Sequence, residues 1–307
     1  WLAFATTRSD YPGATTDKDL VATAYFAHSS DLLSRAAGVL GKDEDARAYR
    51  ELFENVRKAF VTEFVTRSGR LASNTQTAYA LALAFDLLPD DLRADAARRL
   101  AEDVRRFEHI TTGFLGTPLI CPVLSDHGYW DEAFMLLNRK EYPSWLYPVT
   151  QGATTIWERW DGQKPDGTFQ DVGMNSFNHY AYGAIGEWLY TRVAGIQIDE
   201  EKPGYAHGII APHPGGGLTE ARATHESPYG KVVSGWTVSE GTMTLEVVVP
   251  PNATATVHLP GATVEDVTEG GVSLGEAAGV GGVTEGEDTA TLELGSGRYS
   301  FSWPVTD

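Results

Sequence analysis

Residues able to do chemistry crowd into one stretch, Tyr142 to Tyr182. It holds Tyr142-Pro143-Ser144-Trp145 and then Ala153-Thr154-Thr155-Ile156-Trp157-Glu158-Arg159-Trp160-Asp161-Gly162. After a loop rich in Gly, Pro and Asp comes Asn175-Ser176-Phe177-Asn178-His179-Tyr180. Aromatic rings beside carboxylates and amides suit a sugar, because indole packs on the C–H faces of a pyranose while Asp, Asn and His pair with its hydroxyls. On that reading Trp145, Trp157, Asn178 and His179 are candidate binding residues. Glu158, set between two tryptophans, is the candidate general acid or base, since partial desolvation raises the pKa of a carboxyl. Each has a plainer reading. Glu158 could pair with Arg159 or another basic residue at a helix end, and His179 could be a hydrogen-bonded structural histidine. Trp157 and Trp160 could equally pack between helices. Composition alone does not choose.

Other groupings carry less. His207, His213 and His225 match no zinc signature and have no cysteine beside them. Gly215-Gly216-Gly217 lacks the lysine and hydroxyl residue of a phosphate loop. The single cysteine, Cys121, excludes an intrachain disulfide and any multi-cysteine metal site, so no metal or cofactor is expected. The net charge of −18 repels a phosphate backbone, which argues against nucleic-acid binding. No run approaches the roughly 20 apolar residues of a membrane span.

The elements that must position the site fall into two halves. Residues 1–200 hold 20 Lys+Arg and 28 Asp+Glu, whereas 201–307 hold 4 and 14, with 18 of the 32 glycines. That shift marks a domain boundary near residue 200. Before it the apolar period is helical: Tyr49, Phe53, Val56, Phe60 and Phe64 form one stripe, and Ala96, Leu100, Val104 and Phe107 another, after Pro89-Asp90-Asp91. Leu20–Leu40, Thr75–Leu88 and Phe177–Val193 are further expected helices, joined by short polar turns. After about residue 205 the period is two, as in Met243, Leu245, Val247 and Val249 or Tyr299, Phe301 and Trp303. This predicts an antiparallel β-sandwich.

The three site blocks, Tyr142–Trp145, Ala153–Asp161 and Ser176–Tyr182, resemble glycoside hydrolase family 78, the bacterial α-L-rhamnosidases. The opening Trp1-Leu2 is similar to the tail of that family's Gly-Asp-Trp-Leu motif. Pro12–Thr16 to His28, the run Thr112-Gly113-Phe114-Leu115-Gly116-Thr117 and Gly208–Pro214 also fit. The resemblance implies an all-α (α/α)6 toroid followed by a C-terminal β-sandwich. It implies hydrolysis of terminal α-L-rhamnosyl groups from glycosides or polysaccharides with inversion, one carboxylic acid protonating the leaving oxygen and one carboxylate activating water. By motif position Glu158 corresponds to the general base, His179 to a histidine of the rhamnose pocket and Trp1 to an aromatic wall of that pocket.

One departure accompanies the match. The family's acidic segment upstream of Gly-Asp-Trp-Leu is absent, and about seven or eight helices are legible by period where a closed toroid needs more. The chain is therefore expected to be a C-terminal part of such an enzyme, inactive alone, with the general acid and remaining helices upstream in the same polypeptide. An opening Trp1-Leu2-Ala3-Phe4 without initiator methionine or signal features agrees, and it leaves the compartment undetermined. A helical face left apolar by the missing part should make the isolated chain prone to associate. Other readings are an (α/α)6 hydrolase for another sugar and a non-catalytic sugar-binding fragment. If the acid does lie within the chain, Asp10, Asp17 and Asp161 are the candidates.

Overall fold

The computed structural model describes residues 2–4 and 14–305, which divide into two compact units after Ile185. In the first unit α1 (Lys18–Val39) and α2 (Asp43–Phe64) form an antiparallel hairpin. Asp17 starts α1 by accepting the Asp19 and Leu20 amides at 2.8 and 3.0 Å, and three acidic residues open α2 at the positive end of its dipole. Phe53, Val56 and Phe60 bury the expected stripe of α2. The opposite side of α1 stays apolar where it faces outward, with Tyr25, Phe26, Leu32, Leu33 and Leu40 exposed.

The next elements are α3 (Gln76–Ala84), buried along most of its length, and α4 (Asp90–Phe107), which stops where Glu108 takes a left-handed φ of 56°. They are followed by α5 (Thr117–Asp126), α6 (Trp130–Asn138) and the single turn α7 (Leu146–Thr150). The helix expected over Phe177–Val193 is a composite. Residues 177–180 are irregular, Ala181–Ala184 is a 3₁₀ turn, α8 is Ile185–Trp188, and Leu189–Val193 widens into a π turn.

The second unit holds two sheets. One orders β1 (Ile196–Ile198), β2 (His207–Ile210), β6 (Thr254–Pro260), β10 (Thr289–Leu294) and β9 (Val280–Glu285) side by side. The other orders β3 (Glu220–Ser227), β4 (Gly230–Ser239), β5 (Thr242–Val249), β11 (Gly297–Pro304), β7 (Thr268–Glu269) and β8 (Val272–Ser273). Pairing is antiparallel except between β2 and β6, which run parallel. Met243, Leu245, Val247 and Val249 of β5 and Tyr299, Phe301 and Trp303 of β11 form a buried face, as their alternation predicts. Trp303 Nε1 donates to the Pro260 carbonyl at 3.0 Å, tying one sheet to the other.

The composition shift at residue 200 lies inside this second unit. Trp236 Nε1 on β4 donates to the Val193 carbonyl at 2.8 Å, and Ser234 Oγ donates to the Ala194 carbonyl, so the chain joins the sheets well before its glycine content rises. At this junction Gly195, with φ of +86°, passes so near Pro212 that a Cβ would stand 2.2 Å from its nitrogen.

Candidate functional site

The segment between α7 and the 3₁₀ turn at Ala181 has almost no regular structure, yet it is tied across itself. Glu158 N donates to the Ser176 carbonyl at 2.9 Å, and His179 N donates to the Ile156 carbonyl at 2.9 Å. Thr155 Oγ1 donates to the Phe177 carbonyl. A second set of ties closes the loop between them: Asn175 Nδ2 and Gln170 N both donate to the Gly162 carbonyl, at 2.9 and 3.2 Å. Gly162 has no room for a side chain, since a Cβ would sit 2.9 Å from Asn175 Oδ1 and 3.0 Å from the Trp157 ring. Glu158 and His179, twenty-one positions apart, thus sit on one pair of facing strands of loop.

Glu158 is not paired with its neighbour. Arg159 Nε donates to Asp161 Oδ1 at 3.1 Å, and Gln170 Nε2 donates to Asp161 Oδ2. The Glu158 carboxylate accepts the Ser176 amide on Oε2 at 2.9 Å, while Oε1 has no protein donor among the described residues. A carboxylate held by one oxygen and open at the other is oriented and still able to take a proton.

His179 is held on three sides. Its Nδ1 accepts the Ala181 amide at 3.2 Å, so the neutral imidazole carries its proton on Nε2 as a donor. Phe114 stacks on the ring at 5.0 Å and 25°, and Tyr180 lies nearly parallel at 5.7 Å. Asn178 is exposed, and only its backbone is engaged here, exchanging hydrogen bonds with Ser176 Oγ.

The tryptophans lie beneath this loop. Trp145 and Trp157 are only 8% and 7% exposed. Trp145 meets Trp160 edge-on at 5.5 Å and donates from Nε1 to the Tyr182 carbonyl at 2.8 Å. Trp160 stacks on Tyr182 at 3.6 Å, and Trp157 meets Phe177 edge-on at 5.1 Å. The packing reading describes where these rings sit. Trp1 lies outside the described residues.

Two residues of the site carry no role that sequence alone assigns. Phe114 is presented by the turn over residues 114–116 that precedes α5, and its sequence signal is the run Thr112–Thr117 that fits the family. Tyr182 is 2% exposed, and its hydroxyl has no partner among the described residues. Burial pushes that hydroxyl far above the ordinary range, with Tyr142, Asp161 and Glu158 adding and Arg159 opposing, so it stays protonated.

The other candidate acids are occupied. Asp17 caps α1, Asp161 is locked in its pair, and Asp10 lies outside the described residues. Among the described residues no group of three His, Cys, Asp or Glu gathers to hold a metal. His207 is engaged at both nitrogens by Thr254 and Thr256, at 2.6 and 2.9 Å. No helix among them is long and apolar enough to cross a membrane.

Comparison with known proteins gives this geometry its family. Residues 1–193 match the bacterial α-L-rhamnosidase six-hairpin glycosidase domain, and residues 195–273 match the C-terminal domain of the same enzymes. The chain belongs to the bacterial α-L-rhamnosidase family. An α-L-rhamnosidase of Streptomyces avermitilis is 46% identical over 290 residues, covering 94% of this chain and 27% of that protein. One from Formosa agariphila is 47% identical over 248 residues, covering 80% and 26%. The crystal structure of the Streptomyces avermitilis enzyme complexed with L-rhamnose superposes with a TM-score of 0.88 at 44% identity, over 98% of this chain and 28% of that one. The native enzyme of Aspergillus terreus gives 0.84 at 35% identity, over 99% and 32%. The chain spans about a quarter of the length of the curated relatives it matches.

Proposed function

We propose that this chain carries the general-base half of an inverting α-L-rhamnosidase acting on terminal α-L-rhamnosyl groups of glycosides or polysaccharides. The observation that carries the reading is the Glu158 carboxylate, fixed through Oε2 by the Ser176 amide and open at Oε1, on the same pair of loop strands as His179.

In the reaction Glu158 takes a proton from a water as that water attacks the anomeric carbon. An acid on the opposite face, about 6.5–9.5 Å from it, gives its proton to the leaving oxygen. Of the three carboxylates weighed for that acid, Asp17 caps α1, Asp161 pairs with Arg159, and Asp10 lies outside the described residues. This supports an acid supplied by another part of the enzyme. His179 Nε2–H offers a donor for a sugar hydroxyl, and the chemistry uses no cofactor.

The test is Glu158→Gln in the full-length enzyme with an aryl α-L-rhamnoside. Turnover is expected to fall about 10²–10⁴-fold while L-rhamnose still binds. The first sugar released by the unaltered enzyme is expected to be the β-anomer, to be read by NMR before mutarotation. Near-normal hydrolysis by the variant overturns the role of Glu158, an initial α-anomer overturns inversion, and preferential cleavage of an aryl glucoside overturns the choice of sugar. Residues 1–307 alone are expected to show essentially no turnover.

A further inference from the structure

We infer that Phe114 is a positioning residue for His179, setting the plane of the imidazole that the sugar meets. The inference rests on the reading of His179 as a sugar-binding residue. Backbone contacts fix where His179 starts: its amide is bound by Ile156 O at 2.9 Å. Among the described residues the ring itself has one hydrogen bond, from the Ala181 amide to Nδ1 at 3.2 Å. One bond at one ring atom leaves the plane free to rock about it. Neighbouring rings must fix the plane.

Two rings lie beside it. Tyr180 is 86% exposed and has no walls of its own to hold it. Phe114 is half-buried and braced, edge-on to Tyr182 at 5.2 Å and 71°. Tyr182 is in turn stacked at 3.6 Å on Trp160, so three rings lead from the core to the imidazole.

The turn that presents Phe114 is equally constrained. Thr117 Oγ1 donates to the Gly113 carbonyl at 2.7 Å, and this leaves Thr112 to donate to Thr117 Oγ1, also at 2.7 Å. Thr117 N closes the turn onto the same Gly113 carbonyl at 3.1 Å. Gly116 is required, because a Cβ there would stand 2.6 Å from Thr77 Oγ1 and 2.8 Å from Thr112 Cγ2. A half-exposed phenylalanine on a turn with this many restraints is placed for its ring plane more than for the area it buries.

The test is a double-mutant cycle in the full-length enzyme, with Phe114→Leu and His179→Ala made singly and together. An aryl α-L-rhamnoside reports kcat and KM, and L-rhamnose inhibition reports binding. Phe114→Leu is expected to raise KM and the L-rhamnose inhibition constant about 3- to 10-fold, the worth of one aromatic pair, with kcat little changed. In the His179→Ala background it adds nothing, and Phe114→Tyr, which keeps the ring plane, restores the parent values. Equal cost in both backgrounds, or no cost where His179→Ala itself raises KM, overturns the inference. A second readout needs no sugar: in a crystal structure of Phe114→Leu the His179 ring is turned from its present plane, and an unmoved ring overturns the inference. If His179→Ala leaves KM unchanged while the ring does turn in Phe114→Leu, the sugar-binding role of His179 fails and the positioning stands.

Discussion

Arg159 reaches past its neighbour Glu158 and pairs with Asp161, Nε to Oδ1, at 3.1 Å. Asp161 is 3% exposed, and the pair is what keeps a guanidinium from neutralising the carboxylate beside it. A largely buried pair of this kind matters most when half of it is lost, because the charge left behind loses the partner that offset its burial. Asp161→Asn is therefore expected to cost about 3–5 kcal/mol of stability, read from urea unfolding. The double variant Asp161→Leu/Arg159→Met should recover most of that loss, since it removes both charges. A double variant no more stable than Asp161→Asn would show that the pair acts through something other than charge.

Acid should loosen the helical unit through its buried histidines. His109 is 4% exposed and donates from Nδ1 to its neighbour's carbonyl at 2.9 Å. Burial holds its imidazole below the ordinary value of 6.5, with Arg139 adding and the Ile110 carbonyl opposing. His28 and His127 are lowered by burial in the same way. A histidine whose folded value is depressed contributes stability that is complete above 6.5 and is lost as pH falls through that folded value. Asp103, raised by burial, works with the opposite sign and lowers stability as pH rises through its own value. Thermal melting between pH 8 and pH 5 is the measurement, with about 2–4 °C of Tm for each kcal/mol in a unit of this size. His109→Gln should shallow the acid limb, and an unchanged limb would remove His109 from the account.

The entry to the sheet unit should tolerate no side chain at Gly195. A Cβ there meets Pro212 N at 2.2 Å and Ala211 C at 2.4 Å, both backbone, and the φ of +86° is strained for any other residue. Ala211 N also donates to Gly195 O at 2.8 Å, so the two segments cannot part without breaking a bond. Gly195→Ala is expected to cost about 3 kcal/mol or more, more than ordinary overpacking of a flexible core side chain. Calorimetry of the variant checks it, and an unshifted transition would mean that the junction can open.

How far residue order foretold the structure depends on what held each part. The stripe of Phe53, Val56 and Phe60 and the alternations of β5 and β11 were legible because each buries one face against water. α3 was legible only roughly, since it is apolar and buried nearly all round and so has little contrast along its length. α5 carries Pro122 inside it, and α6 has nine residues, too short to establish a period. The helix expected from Phe177 starts late because Phe177 and His179 spend backbone groups on Thr155 and Ile156. The parallel pairing of β2 with β6 joins segments more than forty residues apart, which local pattern does not encode.

Within the site, residue type pointed to Glu158 and His179, and the loop ties bring their two segments together. Trp145 and Trp157 show the limit of that approach, because an indole serves equally as the wall of a sugar pocket and as the filling of a core. Both are buried against other rings here, and burial is a property of the fold. Phe114 was hidden for another reason: its meaning lies in a ring it meets across 65 positions of chain.

The cross-ties between residues 155–158 and 176–179 have a consequence for heating. The amide protons of Glu158, Ser176 and His179 all lie in these few rungs, so one opening event exposes the three together. That event breaks no helix and separates no sheet. The loop is accordingly expected to open by itself before the helices around it unfold, and circular dichroism would register little while the carboxylate and the imidazole drift out of register.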